Sequence, residues 1–213
     1  MAAVALAPDA DEASRILTLA QIAFGSLRGL LAGVDDDLLD RAPAAGEWSL
    51  RETLVHVIGV ERSYRANTQH ALVRGGDEPL TLPADRRPKP DPADTSGGAL
   101  DILAAFAARR AETDVALAGL DEQQLTRPSK WGPYEVAHHV DVRFRLHRFA
   151  SHIVEHTVQC EKVIESLGIT LTDPRAVVRS VGSMRGAHER RSSRAVLDAL
   201  DAALLARAEA VGA

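Results

Sequence analysis

Cysteine and long apolar runs are scarce in this sequence, and both shortages limit what the protein can be. Cys160 is the single cysteine, so the chain cannot form an internal disulfide. No apolar stretch approaches the length that a membrane-spanning helix needs, and no lipidation pattern or signal-peptide pattern is present. We therefore expect a cytoplasmic protein with no role at a membrane.

Aromatic residues and clusters of positive charge are also few. Aromatics make up 4% of the chain, alanine and leucine dominate, and runs of β-branched residues are scarce, which favours helices over strands. The formal net charge is -5, and the basic runs Arg86-Arg87-Pro88-Lys89 and Arg190-Arg191 are too short to form a phosphate-binding face. The composition predicts an all-α protein and argues against a nucleic-acid binder.

Apolar periodicity and helix start and stop signals divide the 213 residues into a bundle and an extension. Residues 1–10 are expected to be a loose N-terminus, residues 11–168 one helical domain, and residues 169–213 a helical extension that packs on the bundle or on a partner subunit. Residues 74–97 contain Gly75-Gly76 and five prolines, which predicts a mobile lid or a crossover. The predicted helices span residues 11–32, 50–73, 99–117, 133–167, 172–188 and 194–210.

The helix predicted for residues 133–167 has the strongest chemical signal. Pro133 suits a first helical turn, Gly168 suits the end, and neither residue type interrupts the stretch between them. His152 and His156 are four residues apart, so on a helix they lie about 6 Å apart along the axis and about 40° apart around it. Both imidazoles can therefore reach one metal ion.

A metal held by two histidines needs at least one more protein ligand. The helix over residues 50–73 begins with the capping box Ser49-Leu50-Arg51-Glu52 and presents His56 at the edge of its apolar stripe. Facing helices of a bundle commonly share a metal site, so His56 is the best candidate. The other histidines are too far along the predicted helix, turned away around it, near a helix end, or in a charged run: His70, His138, His139, His147 and His188.

Several of these residues together resemble a known family. In chain order they are Trp48-Ser49, Glu52, His56-Val57, Glu61, His152-x3-His156, Gln159 and Leu167-Gly168. Over residues 11–168 this order is similar to that of the DinB/YfiT-like superfamily of metal-dependent enzymes. The resemblance implies a four-helix bundle with long crossover connections that binds one divalent ion, zinc or nickel, through His56, His152 and His156.

Family members with assigned activity include thiol S-transferases that use bacillithiol or mycothiol, and a mycothiol-dependent maleylpyruvate isomerase. The resemblance thus implies a low-molecular-weight thiol as co-substrate. Members often have a second histidine beside the last ligand, followed by Arg-Gly, where this chain has Glu155-His156-Thr157-Val158. This departure bears on the substrate more than on the metal.

Polar residues near the two histidines are candidates for other roles. Glu155 is turned by about 100° from His156 on a helix, so it is a candidate catalytic or pocket residue rather than a ligand, and the competing interpretation is a solvated charge. Cys160 is expected in the core rather than as a fourth ligand. Three residues on the side of the histidines are candidates for binding a substrate carboxylate, against the competing interpretation of surface charge: Arg145, Arg148 and Gln159.

Three neutral imidazoles leave at least one coordination position open, and a metal ion lowers the pKa of a water or thiol bound there. We therefore predict an enzyme in which a thiol or water attacks a small electrophilic substrate, and we expect a homodimer. One alternative is a non-catalytic dimeric binding module with a structural or vestigial metal. Another is a metal-dependent hydrolase; His152-Ile-Val-Glu155-His156 even matches the motif of inverted zinc proteases, although the chain lacks the room and strands for that fold.

Overall fold

The computed structural model describes residues 10–131 and 138–210, and helices dominate it. None of the helices in this described part of the chain is long and apolar enough to cross a membrane. The two strands, β1 (Pro128–Trp131) and β2 (His138–Asp141), form an antiparallel pair. The helices are α1 (Glu12–Leu31), α2 (Leu50–Val73), α3 (Ala99–Leu117), α4 (Glu122–Leu125), α5 (Val142–Ser166), α6 (Asp173–His188) and α7 (Arg194–Ala210).

Four long helices form a bundle in which α1 and α2 each pack against both α3 and α5. Each of the four contributes buried apolar side chains to one core, such as Leu27, Leu54, Phe106 and Ile153. The rings of Phe24 and Phe106 meet edge to face at 4.7 Å across α1 and α3. The all-α class and the bundle architecture predicted from the sequence are confirmed.

Helix α2 begins where the capping box predicts. Ser49 Oγ accepts a hydrogen bond from the Glu52 amide at 3.2 Å, and the Ser49 amide donates to Glu52 Oε2 at 2.8 Å. Two amides that the first turn leaves without helical partners are thereby satisfied. These two hydrogen bonds fix the start of α2 and therefore the position of His56, which lies two turns further along the helix.

The prediction of one helix over residues 133–167 is wrong at residues 138–141, which form strand β2. Helix α5 begins at Val142 and is capped by Asp141, whose side chain accepts from the Phe144 amide at 2.7 Å. The preceding residues pair with β1, with Ser129 opposite Val140. The absence of proline and glycine permits a helix but does not by itself stabilise one, because a helix also needs an apolar face to bury. In residues 138–141, pairing with β1 determines the structure instead. Pro133, the predicted first turn, lies outside the described residues.

The connection over residues 74–97 is irregular but attached to two helices. It contains short 3₁₀ turns at Ala84–Arg86 and Pro92–Thr95. The buried carboxylate of Asp94 accepts hydrogen bonds from Arg62 of α2 and Arg109 of α3, each at 3.0 Å. These contacts favour the crossover interpretation of the segment over the mobile lid.

The C-terminal extension packs on the bundle, which is one of the two arrangements that the sequence left open. Helix α6 lies against α1 so closely that a Cβ built on Gly182 overlaps the carbonyl oxygen of Gly25. Asp201 of α7 connects the extension to the bundle, because it accepts hydrogen bonds from Arg28 of α1 and Arg185 of α6, each at 2.8 Å.

Candidate metal centre

Three histidines meet where α2 and α5 pack together. His56 comes from α2, and His152 and His156 come from successive turns of α5. The Nε2 atom of His152 lies 3.2 Å from Nε2 of His56 and 3.0 Å from Nε2 of His156. The structure thus brings together the three residues that the sequence singled out; their binding of a metal stays a prediction.

The spacing of the three nitrogens fits one divalent ion. Two nitrogens that each lie about 2.0–2.1 Å from a zinc ion are about 2.8–3.4 Å apart at ligand angles of about 90–110°. The two separations that involve His152, 3.0 and 3.2 Å, fall in this range, and the ligand atoms of all three histidines lie within 4.8 Å of one another. Within residues 10–131 and 138–210, these histidines are the one group of at least three His, Cys, Asp or Glu side chains close enough to share an ion.

Neighbouring side chains orient two of the rings. His156 Nδ1 donates to Gln159 Oε1 at 2.8 Å, which places the proton on Nδ1 and leaves the Nε2 lone pair free for a metal. The indole of Trp48 packs against His56 at 5.0 Å between ring centroids and lies nearly parallel to His156 at 6.5 Å. Because Trp48 directly precedes Ser49, the capping box of α2 also fixes this aromatic cover.

The electrostatics of the cluster favour neutral rings. Burial, together with the positive charge that His156, His56 and Arg148 can carry, lowers the pKa of His152 to about 3. Burial and His156 also lower the pKa of His56. Since a metal binds the neutral imidazole, His152 is ready to ligate throughout the physiological pH range.

A cavity of about 500 Å³ opens beside His56 and His152. Tyr64 of α2 and Trp131 of β1 form part of its wall, and their rings meet edge to face at 4.8 Å. A separate cavity of about 540 Å³ lies on the other side of the cluster, next to His156 and Trp48. The 500 Å³ cavity has the volume of a small-molecule site, and two of the three candidate ligands, His56 and His152, line it.

A comparison with protein families places the chain in a family. Residues 21–160 match the family model of the DinB superfamily. This chain is a member of the DinB superfamily. No curated protein matches its sequence.

A solved structure shares the fold of this DinB-superfamily chain. YfiT from Bacillus subtilis, described as a probable metal-dependent hydrolase with an unusual four-helix bundle topology, superposes with a TM-score of 0.55. The alignment covers 78% of this chain and 95% of YfiT at 16% sequence identity. At that identity the likeness establishes the bundle fold alone.

The histidines outside the cluster lie elsewhere in this DinB bundle. His138 and His139 are on strand β2, so the helical distance used to exclude them does not apply, although neither joins the cluster. His147 is exposed on α5. His70 is buried, and its Nε2 lies 2.9 Å from the carbonyl oxygen of Pro79.

The polar candidates on α5 separate into two environments. Arg145 and Arg148 line the 500 Å³ cavity, whereas Gln159 bonds to His156 and lines the cavity beside Trp48. Glu155 accepts from Arg148 Nη1 at 3.0 Å and is not one of the clustered ligands. The predicted common wall is therefore divided between the two sides of the histidine cluster.

Cys160 lies in the apolar core, as expected. The residue is fully buried, and burial raises the pKa of its thiol to about 12. A thiol this reluctant to ionise is a poor nucleophile and a poor metal ligand.

Several cavity residues were not found from the sequence. Tyr64 lies within α2, Trp131 ends strand β1, and Thr81 and Arg87 belong to the irregular connection. Only the tertiary packing brings these residues together. No local spacing in the sequence indicates it.

Proposed function

We propose that this protein is a divalent-metal-dependent enzyme in which His56, His152 and His156 hold one ion, zinc or nickel. The proposed reaction is the attack of a low-molecular-weight thiol, or of water, on a small electrophilic substrate. The observation that carries the proposal is the convergence of three Nε2 atoms from two helices at separations that suit a shared ion. When bound, such an ion lowers the pKa of a thiol or water in its open position.

The residues around the cluster have roles that follow from their contacts. Gln159 orients His156, and Trp48 shields His56 and His156. Tyr64 and Trp131 give the neighbouring cavity an aromatic wall on which an organic substrate can pack. Membership in a superfamily that the sequence resemblance connects with thiol transfer supports the choice of a thiol as the first nucleophile to test.

The first test is metal content. Protein purified without a chelator or a histidine tag is expected to hold about one equivalent of zinc or nickel by elemental analysis, and His56→Ala and His152→Ala are each expected to lose it. His147→Ala removes an exposed histidine from the same helix as His152 and should keep the metal. A native protein that stays metal-free after incubation with zinc, nickel and manganese would contradict the proposal and favour the non-catalytic binding module.

The second test distinguishes thiol transfer from hydrolysis. The metal-loaded protein is mixed with monochlorobimane and either bacillithiol or mycothiol, and separately with p-nitrophenyl acetate in the absence of thiol. Transfer of the thiol is expected, and His152→Ala should abolish it. Turnover of the ester alone would favour the hydrolase, the second candidate, for which the description of YfiT as a probable metal-dependent hydrolase is the supporting observation.

A further inference from the structure

Four cationic side chains from separate parts of the chain surround the 500 Å³ cavity. Arg87 comes from the connection between α2 and α3, Lys130 from β1, and Arg145 and Arg148 from α5. Among the described residues that line this cavity, none is acidic. The protein as a whole has a net charge of -5, so this concentration of positive charge is local and opposite to the average.

Arg145 is the deepest of the four, with 4% of its surface exposed. Its Nε donates to Ser129 Oγ at 2.5 Å, a second nitrogen donates to the Lys130 carbonyl oxygen, and the guanidinium lies over the Trp131 ring at 5.5 Å. None of the carboxylates in the described ranges forms an ion pair with it. Burial lowers the pKa of Arg145 to about 10, which still leaves the group charged at neutral pH.

A second buried arginine of the same fold shows what compensation normally looks like. Arg110 is fully buried, and it pairs with Glu61 at 2.6 Å and with Asp114 at 3.2 Å. A buried charge without such a partner lowers the stability of the fold by about 3–5 kcal/mol, so buried charges are normally paired. Arg145 has in place of a carboxylate only neutral acceptors and a cavity.

The other three cations are also incompletely paired with carboxylates. Arg148 shares its charge with Glu155, which accepts from it at 3.0 Å. Arg87 and Lys130 have no ion pair within residues 10–131 and 138–210. Arg86, the neighbour of Arg87, does not line the cavity and pairs with Glu78 at 3.6 Å.

We propose that this cavity binds the carboxylate of a small organic acid, with Arg145 as the inner anchor and Arg87 and Lys130 as the outer cations. Because Nε and Nη2 of Arg145 already donate to Ser129 and Lys130, its Nη1 group is the one that we expect to donate to a carboxylate. The volume admits a small molecule, and Tyr64 and Trp131 provide an apolar wall for its carbon skeleton. Resting on the proposed function, this inference makes the electrophilic substrate an organic acid whose reacting carbon faces the histidines.

Calorimetric titration with succinate tests the inference. Its neutral diamide and inorganic phosphate are the comparison probes, and both the metal-loaded and the metal-free protein are titrated. Succinate is expected to bind in both forms, the diamide at least about tenfold more weakly, and phosphate more weakly than succinate. Absence of succinate binding, or phosphate binding as tight as succinate, would overturn the assignment of a carboxylate site.

The matched pair Arg87→Gln and Arg86→Gln separates a cavity contact from net charge. Each variant loses one positive charge from the same connection, but only Arg87 lines the cavity. Arg87→Gln is expected to weaken succinate binding severalfold, while Arg86→Gln should stay within about twofold of the native protein. Equal effects in both would refute the role of the cavity cations. Arg145→Gln should weaken binding at least about tenfold and Arg145→Lys less, with thermal unfolding confirming that each variant is folded.

Metal analysis of the same samples keeps the two proposals apart. Succinate binding to a protein that holds no metal supports the carboxylate site while the metal proposal fails. A protein with a full equivalent of metal and no affinity for succinate overturns the carboxylate site alone.

Discussion

The buried pair between Glu61 and Arg110 predicts a large loss of stability when it is broken. Arg110 of α3 is fully buried, donates to Glu61 of α2 at 2.6 Å, and lies over the Phe149 ring of α5 at 5.4 Å. It thus connects three of the four bundle helices. Arg110→Met keeps most of the apolar contact and removes the charge.

The structure sets the expected size of this loss. Breaking a buried ion pair costs about 3–5 kcal/mol because the remaining charge stays unpaired. Thr113 Oγ1 still donates to Glu61 at 2.6 Å in the variant, which favours the lower end, about 3 kcal/mol at pH 7. For a chain of this size, that corresponds to a fall in Tm of about 6–12 °C.

The pH dependence of this variant has a definite sign. Burial raises the pKa of the Glu61 carboxyl, and the contacts with Arg110 and Thr113 oppose that rise. Without Arg110 the folded-state pKa of Glu61 moves further above its unfolded value, so the folded variant takes up a proton more readily than the unfolded chain. Its stability relative to the native protein should therefore improve as the pH falls from 7 to 5.

Urea and thermal unfolding at pH 7 and pH 5 measure both effects. The matched control is Arg194→Met, which removes an arginine from the exposed pair with Asp198 and should cost less than about 0.5 kcal/mol. Adding Glu61→Leu to Arg110→Met should restore part of the loss. Two results for Arg110→Met would refute this account of the pair. One is a loss of stability below about 1 kcal/mol at pH 7, and the other is a stability difference from the native protein that is larger at pH 5 than at pH 7.

Three further predictions concern the site and the extension. Gln159→Leu removes the acceptor of His156 Nδ1 and should weaken zinc binding by about 10–100-fold in a chelator competition. Gly182→Ala places a methyl group into α1 and should lower stability by about 1–3 kcal/mol in urea unfolding. The control, Gly59→Ala, meets nothing within 4 Å on α2 and should leave stability equal or higher. In metal-free protein, the pKa of His152 is lower in the folded state than in the unfolded chain, so the unfolded chain takes up a proton at a higher pH. The stability of the fold should therefore decrease as the pH falls from about 6.5 towards 3. His152→Gln should reduce this pH dependence of stability, measured by urea unfolding.

The features that the sequence predicted correctly are those that depend on local chemistry. The capping box at Ser49 and Glu52 needs only four adjacent residues, and it placed the start of α2. The spacing of His152 and His156 places both rings on one face of any helix that contains them, so their approach did not depend on where α5 begins. His56 followed because α2 and α5 are neighbours in the bundle.

The features that were missed depend on contacts between distant segments. The residues before Val142 are compatible with a helix, and only their pairing with β1 makes them a strand. Arg145 was predicted as a residue on the wall of the histidines, but its burial follows from Ser129, Lys130 and Trp131 of that hairpin. A single sequence gives no indication of such a contact.

The division between predicted and missed residues suggests how this fold separates its tasks. The histidines lie on long helices whose register is fixed by a common core, which provides the accuracy that a metal site requires. The walls of the neighbouring cavity come partly from a hairpin and an irregular connection, which can change without disturbing that core. Arg87, Lys130 and Trp131 belong to these segments, whereas Arg145, the proposed inner anchor, lies on α5, so the proposed carboxylate site combines residues of both kinds. Exchanging the hairpin or the connection should therefore alter succinate affinity and leave metal content unchanged.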